Sequence, residues 1–425
     1  MKRTYLVSAA ALVVASTGAS AADLPVKAAA AAYVKQCAAI GEGFYYVPGT
    51  DTCLRLGGYT QAQGYYNTYT DYPSTNDKTY SIGLFGLIMD ARTNTEYGVL
   101  RSYMDMRFMW RTSGPWSDGP NSSQFAPWNM YIQFGGFTFG YAQSFFDFYA
   151  NANVLGQDPA TIGDDTRTPL IAYTWEFAQG WSATFAAEDS ATRAAGVNPS
   201  DPSWPDVEEN YQTGTRIPDF VANIGQTGDW GQFQLSGALH QVSAMLPTSA
   251  GPNYVGATDT STWGYAVQAG LMFNLPFIAE GDSLYLQSAY VNGAISYLGL
   301  VNASGDFTPP DGYINADGTV SKVSGWNFTA QFLHNWNEAW QSAFFGGYAK
   351  FNLDNAIAEV AYGATSGTNY NLGANLTWTP VKNLAITLQY DYNSYAANGY
   401  VNTGYGLPVQ NQQAHQVLFM VERDF

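Results

Sequence analysis

From Leu54 onward the chain falls into segments of ten to fourteen residues, rich in Tyr, Phe, Thr, Val, Gly and Gln and separated by turn residues. Side chains alternate in character along these segments. In Tyr97–Arg111, Gly98, Leu100, Ser102, Met104, Met106, Phe108 and Trp110 fall on one parity. Tyr97, Val99, Arg101, Tyr103, Asp105, Arg107, Met109 and Arg111 fall on the other. Successive side chains of a strand point to opposite faces, so one face is apolar and the other carries all the charge. Soluble sandwiches alternate in the same way, but with strands of about five or six residues. Strands of about ten residues, tilted, are what a bilayer requires. Sixteen strands are predicted, near 54–66, 79–92, 96–111, 128–135, 136–142, 168–177, 181–190, 217–227, 230–242, 262–275, 283–296, 322–335, 339–350, 368–379, 384–395 and 414–425.

The connections alternate in length. Short turns stand at Gly135-Gly136, Gln179-Gly180, Gly228-Asp229, Glu280–Asp282, Trp336-Asn337 and Pro380–Asn383. Long polar connections intervene at 142–167, 190–216, 243–261, 299–321, 351–367 and 395–414. Short turns on one rim and long loops on the other, with an even strand number, predict an all-β fold: a transmembrane antiparallel β-barrel of about 16 strands, large enough for an aqueous lumen. A propeller would repeat a blade of about 40 residues, and no such repeat is present. Aromatics flank the turns (Trp175, Phe177 and Trp181; Phe273 and Phe277; Trp336 and Trp340), where amphipathic rings suit a bilayer interface.

Composition sharpens this picture. Only 12% of the 425 residues are charged, against about 25% in soluble proteins. The 17 basic and 34 acidic residues lack the basic footprint of a nucleic-acid binder. Lys2 and Arg3, the apolar run Tyr5–Ser16 and Ala19-Ser20-Ala21 form a signal-peptide pattern, with 1–21 as the expected leader. Its removal leaves 15 basic and 34 acidic residues, a net of −19. No later stretch of about 18 apolar residues offers a helical span. Residues 22–53 are expected as a periplasmic segment ahead of a barrel at 54–425. In an oxidising compartment the pair Cys37 and Cys53 reads as a disulfide tying that segment to the first strand.

Enzymatic chemistry finds little footing. His240 and His334 sit in no nucleophile motif, and H-E-x-x-H, P-loop and dinucleotide patterns are absent. A plugged receptor would need far more than the roughly thirty mature residues that precede Leu54. No enzyme activity, cofactor or resident metal is expected. An acidic loop such as Asp201–Glu209 reads as solvated before it reads as a calcium site.

Several stretches resemble the porins of alpha-proteobacteria, of the Brucella and rhizobial type. They are Tyr33–Cys37 leading to Phe44–Tyr59, Asp90–Tyr103, Gln133–Gly140 followed by Ser144–Phe148, and terminal Arg423-Asp424-Phe425. The resemblance covers essentially the whole mature chain, most firmly its first 150 residues and last dozen. It implies a homotrimer of sixteen-stranded barrels in the outer membrane of a Gram-negative bacterium. Outer-membrane lipid and lipopolysaccharide would surround each barrel, and small hydrophilic solutes would pass through it passively. It also implies that the connection after the fifth strand folds into the lumen as a constriction. The alternating final strand, closing on Phe425, resembles the signal read by the outer-membrane insertion machinery. One departure stands out: Tyr141 follows the Gly-Phe-Thr-Phe-Gly run, where the family often has Arg.

Pore chemistry follows. Arg92, Arg101, Arg107 and Arg111 fall within twenty positions. A charge on the lipid face at the midplane costs about 2–4 kcal/mol, so these side chains are expected in the lumen as a cationic wall, with Arg167 beside them. The constriction loop carries Asp147, Asp158, Asp164 and Asp165. Cations facing carboxylates would set a transverse field across the passage. A plainer reading has the arginines pairing with Asp90, Asp105 and Glu96 to satisfy buried charge. Two functions remain open: a general diffusion porin with modest cation preference, or a barrel serving as adhesin or structural surface protein through its long loops.

Overall fold

The structure is a computed structural model describing residues 35–69, 78–112, 122–149, 151–156, 161–163, 165–199, 211–246, 258–301, 309–353, 364–399 and 411–425. The expected leader 1–21 therefore lies outside the described residues. Sixteen long strands make one antiparallel sheet. They are β1 (Cys53–Tyr69), β2 (Thr79–Thr95), β3 (Gly98–Arg111), β4 (Ser122–Phe134), β5 (Phe137–Gln143), β6 (Arg167–Ala178), β7 (Trp181–Glu188) and β8 (Asp219–Gly228). The second half comprises β9 (Gly231–Leu246), β10 (Thr258–Asn274), β11 (Ser283–Asn292), β12 (Ser324–Asn337), β13 (Trp340–Asn352), β14 (Ala364–Val381), β15 (Leu384–Gly399) and β16 (Asn411–Asp424). Each pairs with the next, and β1 pairs with β16 from Tyr59↔Asp424 to Tyr69↔Ala414, so the sheet closes and no edge is left for another chain to pair with.

Alternation explains why these sequences lie still in this register. On β2 the even positions Tyr80, Ile82, Leu84, Gly86 and Asp90 are buried, while Ser81, Gly83 and Phe85 between them are exposed. The register Gly86↔Arg107, Asp90↔Tyr103 and Arg92↔Arg101 puts the charged parity of β3 on that same inner face. Phe108 and Trp110 point the other way and are about half exposed, and Phe185, Leu372, Leu388 and Phe419 on other strands are more than half exposed. An apolar exterior of this kind suits lipid. Girdle residues Trp175, Trp181, Phe277, Trp336 and Trp340 are exposed at the short-turn ends of their strands, while Phe273 is half-buried.

Strand boundaries differ from expectation in two ways. Several strands reach 16 to 18 residues, longer than the ten to fourteen predicted. β4 begins at Ser122, six positions before its expected start, because Pro127 disguises it. Pro has no ladder N–H and is tolerated inside a sheet mainly at bulges, and here the register shifts between Asp105 and Met106, so Trp128 is the extra residue.

One rim carries the short turns and the C-terminus. There Phe425 exchanges backbone hydrogen bonds with Gly58, and its ring stacks on Phe85 at 5.8 Å. Cys37 and Cys53 are disulfide-bonded, and the hairpin they tie places Tyr45–Tyr46 against the start of β1, with Cys37, Phe44 and Cys53 buried together. The opposite rim carries the long connections. From two of them, Val197–Pro199, Gly312–Ile314 and Val320–Lys322 form a small sheet of their own, whose Val197 and Ile314 pack on Val242 and Ala244 of β9.

Candidate functional site

The barrel interior is divided by the connection from β5 to β6, residues 144–166, here termed L3. Its backbone polar groups must find partners away from bulk water, and lumen-facing amides supply them. Gln234 on β9 donates to the carbonyls of Phe145, Phe146 and Asp147, and Gln268 on β10 donates to Phe146 O at 2.9 Å. Tyr149 N donates to Gln287 on β11 at 2.8 Å, and its hydroxyl donates to Gln331 on β12. Asn375 on β14 donates to Asn153 O. Leu155 N donates to Gln389 Oε1 on β15, whose Nε2 donates back to Leu155 O, both at 2.9 Å. Ile162 N donates to Asn371 Oδ1 at 3.0 Å, and Thr329 donates to Ile162 O. L3 is thus fastened along the β9–β15 wall.

Two glycines let it seat closely. A Cβ at Gly270 would stand 2.2 Å from Phe148 Cδ1, and one at Gly347 would stand 2.8 Å from Ile162 Cβ. The root of L3 is held by Arg193, which lies in the connection between β7 and β8 and is fully buried. Arg193 donates to Asp147 Oδ1 at 3.0 Å and to Thr166 Oγ1 at 3.1 Å, and its guanidinium lies 4.2 Å from the centre of the Tyr297 ring. Tyr297 in turn donates to Asp219 at 2.7 Å. Burial first, then the nearby carboxylates of Asp219 and Glu188, push the Tyr297 phenol well above its ordinary value, against the pull of Arg193.

The β1–β6 wall is cationic. Arg92 and Arg101 each fork onto Asp90, which is fully buried, and Arg55 stands 3.6 Å from the same carboxylate. Higher on the wall, Arg107 and Arg167 lie 3.6 and 3.5 Å from the centre of the Trp128 ring, consistent with one indole held between two guanidiniums. Asp105 is 3.9 Å from Arg107, and Asp165 accepts from Arg167 at 2.7 Å. Arg111, last on β3, lies over Tyr80 at 5.7 Å.

The sequence-expected residues are therefore not one array. Arg92 and Arg101 group at the short-turn end of the lumen, while Arg107 and Arg167 with Asp165 group further in. Asp147 departs from its expected place: it does not face the passage, because it is the buried partner of Arg193, with 0% side-chain exposure on both. Asp158 and Asp164 lie outside the described residues. The plainer pairing of arginines with Asp90 and Asp105 is present, and among the described residues no arginine is within ion-pair distance of Glu96. His240 is buried between Asp219 (2.8 Å) and Asp311 (3.5 Å), and His334 contacts Asp282 at 2.6 Å.

Comparison with known proteins fits this geometry. The sequence pattern of the Porin subfamily matches residues 23–418. The chain belongs to that family. Porin Omp2b of Brucella suis is 32% identical over 242 residues, 54% of this chain and 64% of the relative. Porin Omp2b of Brucella abortus strain 2308 is 30% identical over 240 residues, 54% of this chain and 63% of its own. The chain thus spans a little under two thirds of the curated porins it matches. Its fold is similar to the crystal structure of the outer membrane channel DcaP of Acinetobacter baumannii, with a TM-score of 0.64 and 14% identity, covering 89% of this chain and 99% of that one. As a porin with an apolar exterior, the barrel stands in an outer membrane. In outer-membrane barrels the short turns are periplasmic and the long loops external.

Sequence reasoning missed Trp128, Arg193, Phe44, Arg55 and the amides that hold L3. Some signals existed. Arg193 is the one basic residue between Arg167 and Arg216, and the L3-binding glutamines share the inward parity of their strands.

Proposed function

We propose that this porin forms a water-filled channel through which small hydrophilic solutes and ions diffuse passively, a channel rather than an enzyme. One observation carries the reading: L3 enters a closed sixteen-stranded barrel and is fastened along one wall by side-chain amides, while an arginine wall on the other side meets it at the Arg167–Asp165 pair. The cationic wall comprises Arg92, Arg101, Arg107, Arg111 and Arg167. Asp165 supplies negative charge on the loop, to which the sequence adds Asp158 and Asp164. Withdrawal of Asp147 into its pair with Arg193 weakens the cation preference expected from the net charge. A homotrimer follows from the alpha-proteobacterial resemblance. So do a surround of lipid and lipopolysaccharide and delivery by insertion machinery that reads Phe425.

Planar-bilayer recording tests this. The expected result is stable conductance in steps of three, with a reversal potential that moves toward anions in D164N/D165N. Absence of conductance from correctly folded protein would sink the channel reading and leave the adhesin or structural role. An unmoved reversal potential would remove L3 as the selectivity element.

A further inference from the structure

The arginines at the periplasmic end of the lumen are a site in their own right. Asp90 receives both hydrogen bonds of Arg92 (3.0 and 2.7 Å) and both of Arg101 (3.0 and 3.0 Å), with Arg55 at 3.6 Å. Three guanidiniums thus share one carboxylate, a local excess of two positive charges, and among the described residues no other carboxylate is in ion-pair reach of any of them. Arg101 is further used by Gln133 at 3.0 Å and by the rings of Tyr103 and Tyr131. Arg55 and Arg92 keep 45% and 28% of their side chains exposed. Each guanidinium has five N–H donors in a planar fork that matches a carboxylate or phosphate, and Asp90 takes only part of that set.

A second device orients them. The Phe44 ring lies 5.1 Å from the Arg55 guanidinium and 4.9 Å from that of Arg92, and Phe44 is buried beside Cys37 and Cys53. The disulfide-tied hairpin therefore backs both cations with an aromatic face. Arg101 and Arg107 are six residues apart on β3, about 20 Å along a strand, so this cluster is distinct from the pair on Trp128.

We propose that the periplasmic mouth carries an oxyanion-binding site, taking the carboxylate or phosphate group of a small solute on Arg55 and Arg92, with Asp90, Arg101 and Phe44 as positioning residues. Its place in transport rests on the channel reading, whereas binding itself needs no conduction. The test titrates full-length protein in detergent with inorganic phosphate and, separately, with succinate, by calorimetry, and records bilayer current with the same anions added to either side. Saturable binding of either anion is expected, identifying which chemistry the site prefers, with block stronger from the periplasmic side. R55Q/R92Q should weaken binding at least tenfold, R55Q alone several-fold, and F44A several-fold with the circular dichroism of the barrel retained. R55Q alone guards against misfolding, since Arg55 reaches Asp90 only at 3.6 Å, while Arg92 and Arg101 keep their short hydrogen bonds to it. Binding that survives R55Q and R55Q/R92Q, or that is lost in R107Q/R167Q instead, overturns the proposal, as does absence of binding by both anions. Binding without any conductance would keep the site and refute the channel reading.

Discussion

Replacing Arg193 by Ala tests whether L3 is positioned by a buried charge. Arg193 and Asp147 each have 0% side-chain exposure, and the guanidinium holds Asp147, Thr166 and the face of Tyr297 together. Truncation leaves a buried carboxylate without its counter-charge, a loss of about 3–5 kcal/mol in comparable pairs. Asp147 keeps the amide of Thr166 at 2.8 Å, which places the effect toward the lower part of that range. Even about 3 kcal/mol is more than a hundredfold in an opening equilibrium. The loss falls on the root of L3 and on the β7–β8 connection, not on the barrel ladder, so R193A should insert and close normally. The assay pairs open-state current noise in bilayers with limited proteolysis of the loops on vesicle-bound protein. R193A should show excess noise and faster loop cleavage at unchanged heat resistance of the barrel. D147L/R193M, which leaves no charge buried, should recover most of the difference. If R193A matches the parent in noise and cleavage, or the double variant is worse than the single, the pair does not position L3.

Other outcomes follow from the same geometry. Gly270→Val would drive a side chain into the Phe148 ring, so L3 should lose its seat on β10, with altered single-channel conductance and an intact barrel by circular dichroism. Trp128→Ala removes the ring between Arg107 and Arg167, a contact of about 0.5–2 kcal/mol per cation. Its reversal potential should shift while that of Trp128→Phe stays nearer the parent. The Tyr297 phenol is raised in the folded state, so its contribution to stability is complete below the free phenol value of about 10 and is lost as pH rises from there toward the folded value. Loop protection against protease should therefore fall in alkali, and Y297F should lack that component of the pH dependence. Deleting Phe425 removes the stack on Phe85 and the backbone pair with Gly58, and should slow barrel assembly into lipid vesicles, read as accumulation of the heat-sensitive form.

What the sequence revealed and what it hid divide along a physical line. A strand has a period of two, so one glance at Gly98–Arg111 separates the lipid face from the lumen face, and Arg101, Arg107 and Arg111 could be put inside before any coordinates. Alternating connection lengths likewise gave all sixteen strands, because a barrel's two rims impose different loop lengths. Neither signal extends to contacts made across the lumen. Asp147 and Arg193 are 46 residues apart in separate connections, and no periodicity links them. The carboxylate therefore reads from sequence as one more acid facing the passage. Gln389 and Leu155 are separated by 234 residues, and a glutamine that anchors a loop backbone looks the same in sequence as one that faces water. The stretch before Trp128 was hidden by Pro127, which argues against a strand until the bulge that turns Trp128 onto the arginines is seen.

That division bears on selectivity itself. Counting acids along L3 predicts a cation-preferring constriction, whereas pairing them in space removes Asp147 from the count and neutralises Asp165 in part through Arg167. On the opposite wall Asp90 answers three arginines at once. A solute crossing this lumen meets the charges left over after such pairing: at the periplasmic mouth the leftover is guanidinium, whereas deeper in Asp105 and Asp165 match Arg107 and Arg167, and Glu422 and Asp391 bond to glutamines. The net charge of the chain, dominated by acids, therefore does not set the sign of the field in its passage. The exposed forks of Arg55 and Arg92 do so at the periplasmic mouth, while the two cations that flank Trp128 are balanced by Asp105 and Asp165 and leave the deeper lumen nearer neutral.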